Sequence, residues 1–174
     1  MSAARSRGAM RRAIRSRGFT LRELIIVLVI VGIISAIALS RTSNDPVMLS
    51  TQVDQLAGDI RYVQTLAMTQ GQRYIVSFPS ATSYRFLDSA GNPVVHPANG
   101  SNAAITLASG ATLVLTFAPA GGNALGFDGR GIPYSVTTPA TFNNAITAAA
   151  TVALTKGTAT QSITVTHQTG RVTP

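Results

Sequence analysis

Cysteine is absent from this sequence. That removes disulfides, thiolate metal sites and cysteine nucleophiles together. A domain of this size can bury enough apolar surface to fold without cross-links. Tryptophan is also absent, and aromatic residues are few. Histidine occurs only as His96 and His167, far apart and with no ligand-spaced partner, so each reads as a surface or internally satisfied residue. Acids are scarce: Glu23, Asp45, Asp54, Asp59, Asp88 and Asp128 complete the set, and none forms an evident catalytic pair. Asp128 sits among glycines, where an Asp bonds its own backbone; a metal or partner contact is the alternative. The glycines at 126, 129 and 131 are not followed by the Gly-Lys-Ser/Thr triplet of a phosphate loop. Asn99-Gly100-Ser101 fits a glycosylation pattern only formally. The sequence therefore points to no enzyme, no catalytic residue, no metal and no cofactor.

What the chain does have is concentrated at its N-terminal end. Six arginines (Arg5, Arg7, Arg11, Arg12, Arg15 and Arg17) precede residue 18 with no acid among them. The net charge of +8 is largely theirs, and beyond Gly18 basic and acidic residues nearly balance. The basic pI thus lends little weight to a nucleic-acid partner. From Leu24 to Leu39 no residue is charged. At about 1.5 Å per residue that run spans roughly 24 Å, and counted from Phe19 it spans roughly 31 Å, about one hydrocarbon core. A helix apolar on every face must be buried on every face. A basic flank before such a helix predicts a cytoplasmic N-terminus and an exported C-terminal body.

Two processing routes are open on these residues. Ala36-Ile37-Ala38 is an A-x-A-like site whose cleavage would release a soluble protein from about Leu39. Cleavage after Gly18 would instead discard the leader and keep the helix.

The stretch Arg17-Gly18-Phe19-Thr20-Leu21, with Glu23 and Leu24 after it, resembles the signal of type IV pilins and type II secretion pseudopilins. The resemblance implies that a prepilin peptidase cuts after Gly18 and methylates Phe19. It implies that Glu23, fifth in the mature chain, neutralises the N-terminal amine of a neighbouring subunit as helices pack into a filament. A carboxylate costs about 2.5–3.5 kcal/mol at the centre of a membrane helix, less near the interface, so pairing has something to recover. Arg22 stands where the family usually has an uncharged residue, and Ser40 where major pilins commonly have proline. Both departures fit a minor subunit.

The apolar pattern breaks at Arg41–Asn44. Asp45-Pro46 reads as an N-cap followed by proline at the first helical position. From there Leu49, Val53, Leu56, Ile60, Val63 and Ala67 recur at spacings of three and four, which predicts an amphipathic helix ending at Gly71. Gln52, Asp54, Gln55, Asp59, Arg61 and Gln64 lie mostly off that stripe. Gly58 inside the helix implies a close approach by another segment. Beyond Gly71 the pattern is of strands: 74–78 and 83–87 as a hairpin, 104–107, 112–117, a pair around the turn at Asp128-Gly129-Arg130-Gly131, and last 148–155 and 161–166.

One long helix followed only by strands gives an α+β fold. Its helix has a transmembrane first half and an amphipathic second half packed on an antiparallel β-sheet domain, the pilin-like arrangement. The expected divisions are a cleaved leader at 1–18, a transmembrane and assembly helix at 19–40, an amphipathic helix at 45–71 and a periplasmic body at 72–174. Phe127–Gly131 and Thr169–Val172 also resemble, more loosely, the H-type minor pseudopilins of type II secretion and the FimT-like minor pilins. The implied protein is a minor pseudopilin or pilin subunit near a filament tip, held first in the inner membrane. Its implied partners are the prepilin peptidase, other pilin or pseudopilin subunits and the inner-membrane assembly platform. A DNA-capturing minor pilin is the alternative, with Arg171 and Arg130 as candidate phosphate contacts.

Overall fold

The computed structural model describes residues 19–40, 45–108, 110–118, 121–138 and 141–174. The leader, Gly18 and the break at 41–44 lie outside the described residues. The chain divides into two units, Met1–Thr42 and Ser43–Pro174. In the first, helix α1 runs Leu21–Ser40. Among the described residues no helix is long and apolar enough to cross a membrane. For α1, side chains are described only as far as Ile37, and Leu21 to Ile37 rises roughly 25 Å.

In the second unit, helix α2 spans Asp45–Gln70. Among the described residues ten strands follow: β1 Tyr74–Ser80, β2 Ser83–Asp88, β3 Ile105–Thr106, β4 Ala111–Thr116, β5 Ala124–Phe127, β6 Pro133–Thr138, β7 Thr141–Ala145, β8 Ala150–Lys156, β9 Ala159–Val165 and β10 Val172–Thr173. They form a six-stranded sheet, β3-β2-β1-β5-β6-β7, and a four-stranded sheet, β10-β9-β8-β4. Every strand pairing is antiparallel. The patterning anticipated one sheet, and β7 and β10 were not among its strands.

α2 forms where the stripe predicts. Leu49, Val53, Leu56, Ile60, Val63 and Ala67 are all buried. They share one core with Val76 and Phe78 of β1, Tyr84 and Phe86 of β2, Val152 and Leu154 of β8, and Ile163 and Val165 of β9. Side chains of this kind each contribute about 1.5–3 kcal/mol on burial. The helix stops at Gly71, whose φ of +63° suits glycine. Gln72 N–H then donates to the Ala67 carbonyl at 3.2 Å, the bond that closes a Schellman end.

Strand alternation divides the six-stranded sheet into two faces. Val76 and Phe78 enter the main core, whereas Ile75 joins Leu87, Ala124 and Val136 in a smaller cluster. Pro79 lies inside β1, at the place where its register against β2 shifts between Ser77 and Ser80. Proline lacks the N–H that a regular ladder would need there. In the four-stranded sheet the core-facing positions are apolar and the alternate ones are largely Thr and Ser. Thr112, Thr155 and Thr160 stand in one cross-strand row.

One expectation for α2 needs correction. Nothing among the described residues lies within 4 Å of a Cβ built on Gly58, so no described segment approaches it closely. Asp59 lies off the stripe, one residue before Ile60, and is nonetheless buried at 8% exposure.

Candidate functional site

The N-terminal site starts at Thr20. Its Oγ1 accepts the Glu23 backbone N–H at 3.3 Å, and its carbonyl accepts Leu24 N–H at 3.1 Å. Thr20 is therefore the N-cap, with Glu23 at the third helical position, the spacing of a capping box. A carboxylate here also meets the positive end of the helix dipole. The Thr-x-x-Glu pattern of this cap overlaps the cleavage signal in the sequence. Phe19 is 79% exposed. Along α1 the large apolar side chains from Leu21 to Ile37 are all exposed. They point in every direction around the helix axis, so the apolar surface has no single face.

In the second unit, the segments carrying Arg130 and Arg171 come together. Gln64 of α2 donates from Nε2 to the carbonyls of Gly131 and Thr169, each at 3.0 Å. Gly170 packs on the Gly131 carbonyl, and Gly129 packs on the backbone of Gly71. A side chain at Gly129 or Gly170 would push these segments apart. Arg61, from the exposed side of α2, donates to the Val172 carbonyl at 2.9 and 3.3 Å.

Asp128 organises its own turn, as the glycine pattern predicts. Its Oδ1 accepts N–H groups from Arg130 at 2.9 Å and Ile132 at 3.0 Å. Its Oδ2 accepts the Arg130 guanidinium at 3.2 Å and the Tyr134 hydroxyl at 3.3 Å. Burial pushes the carboxyl up, but the Ile132 and Arg130 donors outweigh it and hold it below the usual carboxylate range. Arg130 is shifted up by the same hydrogen bond. Part of its charge is thus spent on Asp128. The Arg171 backbone N–H donates to Thr169 Oγ1 at 3.3 Å, and the residue is exposed.

A third cluster went unread in the sequence. Tyr84 O–H donates to Asp59 Oδ2 at 2.6 Å. His96 Nε2 faces Asp59 Oδ1 at 3.0 Å. Ala98 N–H donates to His96 Nδ1 at 3.1 Å, which leaves Nε2 to carry the ring proton toward Asp59. The ring stacks on Phe86 with centroids 5.1 Å apart. Burial, and then the bond to Asp59, raises the Tyr84 hydroxyl far above its ordinary range. Both Asp59 oxygens and both His96 nitrogens are satisfied, so the cluster ties α2 to β2 and to the loop after residue 95. Among the described residues no group of three or more His, Cys, Asp or Glu could hold a metal ion.

The family models match both units. The prokaryotic N-terminal methylation motif covers residues 14–39. The model for type II transport protein GspH covers residues 52–170, most of the chain. The chain belongs to the GspH family. With the methylation motif ahead of the GspH domain, it is a minor subunit of the pseudopilin and pilin type. It is similar to the type IV minor pilin FimU of Pseudomonas aeruginosa, at 14% identity over 72% of this chain and 86% of that one, with a TM-score of 0.48. It is similar also to the minor pseudopilin EpsH from the type 2 secretion system of Vibrio cholerae, at 12% identity over 72% and 94%, with a TM-score of 0.49. No curated protein matches the chain.

Proposed function

We propose that this GspH-family chain is made as an inner-membrane precursor and works as a building element of a periplasmic filament, with no catalytic activity of its own. The leader, residues 1–18, stays cytoplasmic. Prepilin peptidase cuts after Gly18 and methylates Phe19. Residues 19–40 anchor the chain as a single span, while 45–71 and 72–174 form the periplasmic body. The assembly platform then draws the helix out of the lipid to pack against other pilin-like subunits. Gly32, Ser35, Ala36 and Ala38 permit close approach there, and Glu23 sets the register by meeting a neighbour's N-terminal amine.

The observation that carries this reading is the exposure of α1 around its whole circumference beside a capped start at Thr20 and Glu23. Such a helix needs an apolar surrounding on all sides, which lipid supplies first and neighbouring helices supply later. A nucleic-acid grip at Arg171 and Arg130 is the weaker reading, because Asp128 already engages Arg130.

Two experiments test the proposal. N-terminal sequencing of the mature protein should return methylated Phe19; a start at Leu39 would mean release after Ala38 and end the anchored reading. Glu23→Ala should still be cleaved and inserted but should enter filaments poorly. Normal incorporation of that variant would remove the role given to Glu23.

A further inference from the structure

We propose that the open edge of β4, with the groove beside it, accepts an extended, uncharged strand from another protein chain. Sheet edges carry unpaired backbone groups, and proteins guard them with charge, proline, bulges or short length. β3 and β10, at two of the four sheet edges, are two residues each. β4 has six residues, Ala-Thr-Leu-Val-Leu-Thr over 111–116, with no charge and no proline. Its register against β8 runs without a bulge from Ala111 to Thr116. The usual guards are missing.

The backbone pattern shows what is free. Leu113 N–H leaves the ladder and donates to the Ala81 carbonyl at 2.6 Å, and Ala111 N–H donates to Ala108 at 3.0 Å. Alternate residues of an antiparallel strand face opposite neighbours. Leu115 therefore also turns its N–H and C=O away from β8, and no described residue bonds either group. The turn at Ala81 occupies the edge only as far as Leu113.

A groove of about 240 Å³ opens at this place, between β4 and the end of β1. Phe78, Leu113 and Leu115 make it apolar, and Ser80 and Asn123 add hydroxyl and amide groups. Among the described residues none that lines it is charged, so a charged side chain entering it would lose hydration with no counter-ion from them to replace it. An uncharged strand meets both conditions. Its main chain bonds Leu115, and its alternate side chain fills the groove, the logic of strand addition. The last strand of this chain cannot serve, since β10 is paired with β9.

The test uses the full chain in detergent and, as probe strand, a labelled synthetic peptide of alternating Ser and Val, a sequence that no strand of this chain has. Amide exchange at Leu115 should be fast in the chain alone and should slow about tenfold or more when peptide saturates it. Leu115→Pro removes an outward N–H without touching the β8 ladder and should abolish binding. Val114→Ala, on the other face of the strand, should leave binding intact. Should the proline variant fold poorly, a peptide N-methylated at alternate residues replaces it and should not bind. Protection of Leu115 before peptide is added would overturn the proposal. So would an absence of binding, or binding indifferent to Leu115→Pro and to N-methylation. A concentration-dependent dimer that protects Leu115 would overturn it in favour of a second copy.

Discussion

Gly170 lies so close to Gly131 that a Cβ at position 170 would stand 2.5 Å from the Gly131 carbonyl oxygen. The same atom would collide with Gln64 Nε2, which bonds both loops. Gly170 also has a φ of +62°. Strain of about 1–2 kcal/mol for that conformation and about 1–3 kcal/mol for overpacking should combine in Gly170→Ala. A thermal melt should therefore drop by several degrees. An unchanged midpoint would mean that the two loops are not held as described.

Gly58→Ala is expected to act the other way. The position is helical, exposed and open around a built Cβ. Alanine there should stabilise by about 0.5–1 kcal/mol. A loss of stability in the same melt would show that something does approach Gly58.

Tyr84→Phe leaves Asp59 with His96 as its remaining side-chain donor. The pair is buried, so an acceptor that loses a hydrogen bond should cost about 1–3 kcal/mol. Denaturant unfolding should give a lower midpoint at an unchanged slope. A neutral result would mean that water readily replaces the hydroxyl.

The turn at Asp128 should weaken in acid. Its carboxyl is held below the usual range in the folded chain. Its contribution is therefore complete at neutral pH and is lost as pH falls through the depressed folded value. Exchange of the Ile132 and Arg130 amides should accelerate there in the native chain. Asp128→Asn should flatten that dependence. Parallel profiles for the two proteins would exclude Asp128 as the cause.

The legible parts of this molecule were those with a strong period or a special backbone. The stripe from Leu49 to Ala67 and the stop at Gly71 fixed α2, because burial and helix termination leave residue-type signatures. The hairpin of β1 and β2 and the Asp128 turn were readable for the same reason. β10 escaped notice because two residues carry no period, and its pairing depends on β9 across a turn. The second sheet was hidden because alternation tells which face is buried but not which strand is the neighbour. The burial of Asp59 was not legible because its partners, Tyr84 and His96, are distant in sequence and only folding supplies them. At the N-terminal site the candidates Gly18, Phe19 and Glu23 came from one short motif; Thr20, which caps the helix, was overlooked inside it.

The attachment of α2 to its sheets also has a mechanical side. Its buried stripe is spread along the length of the helix, and Arg61 fastens the exposed side to the carbonyl of Val172 in the last strand. A pull along the helix axis loads these contacts together, in shear. Peeling would break them one after another at far lower force. The body is therefore joined to its own helix α2 as a lap joint, which resists an axial load far better than a peeling one.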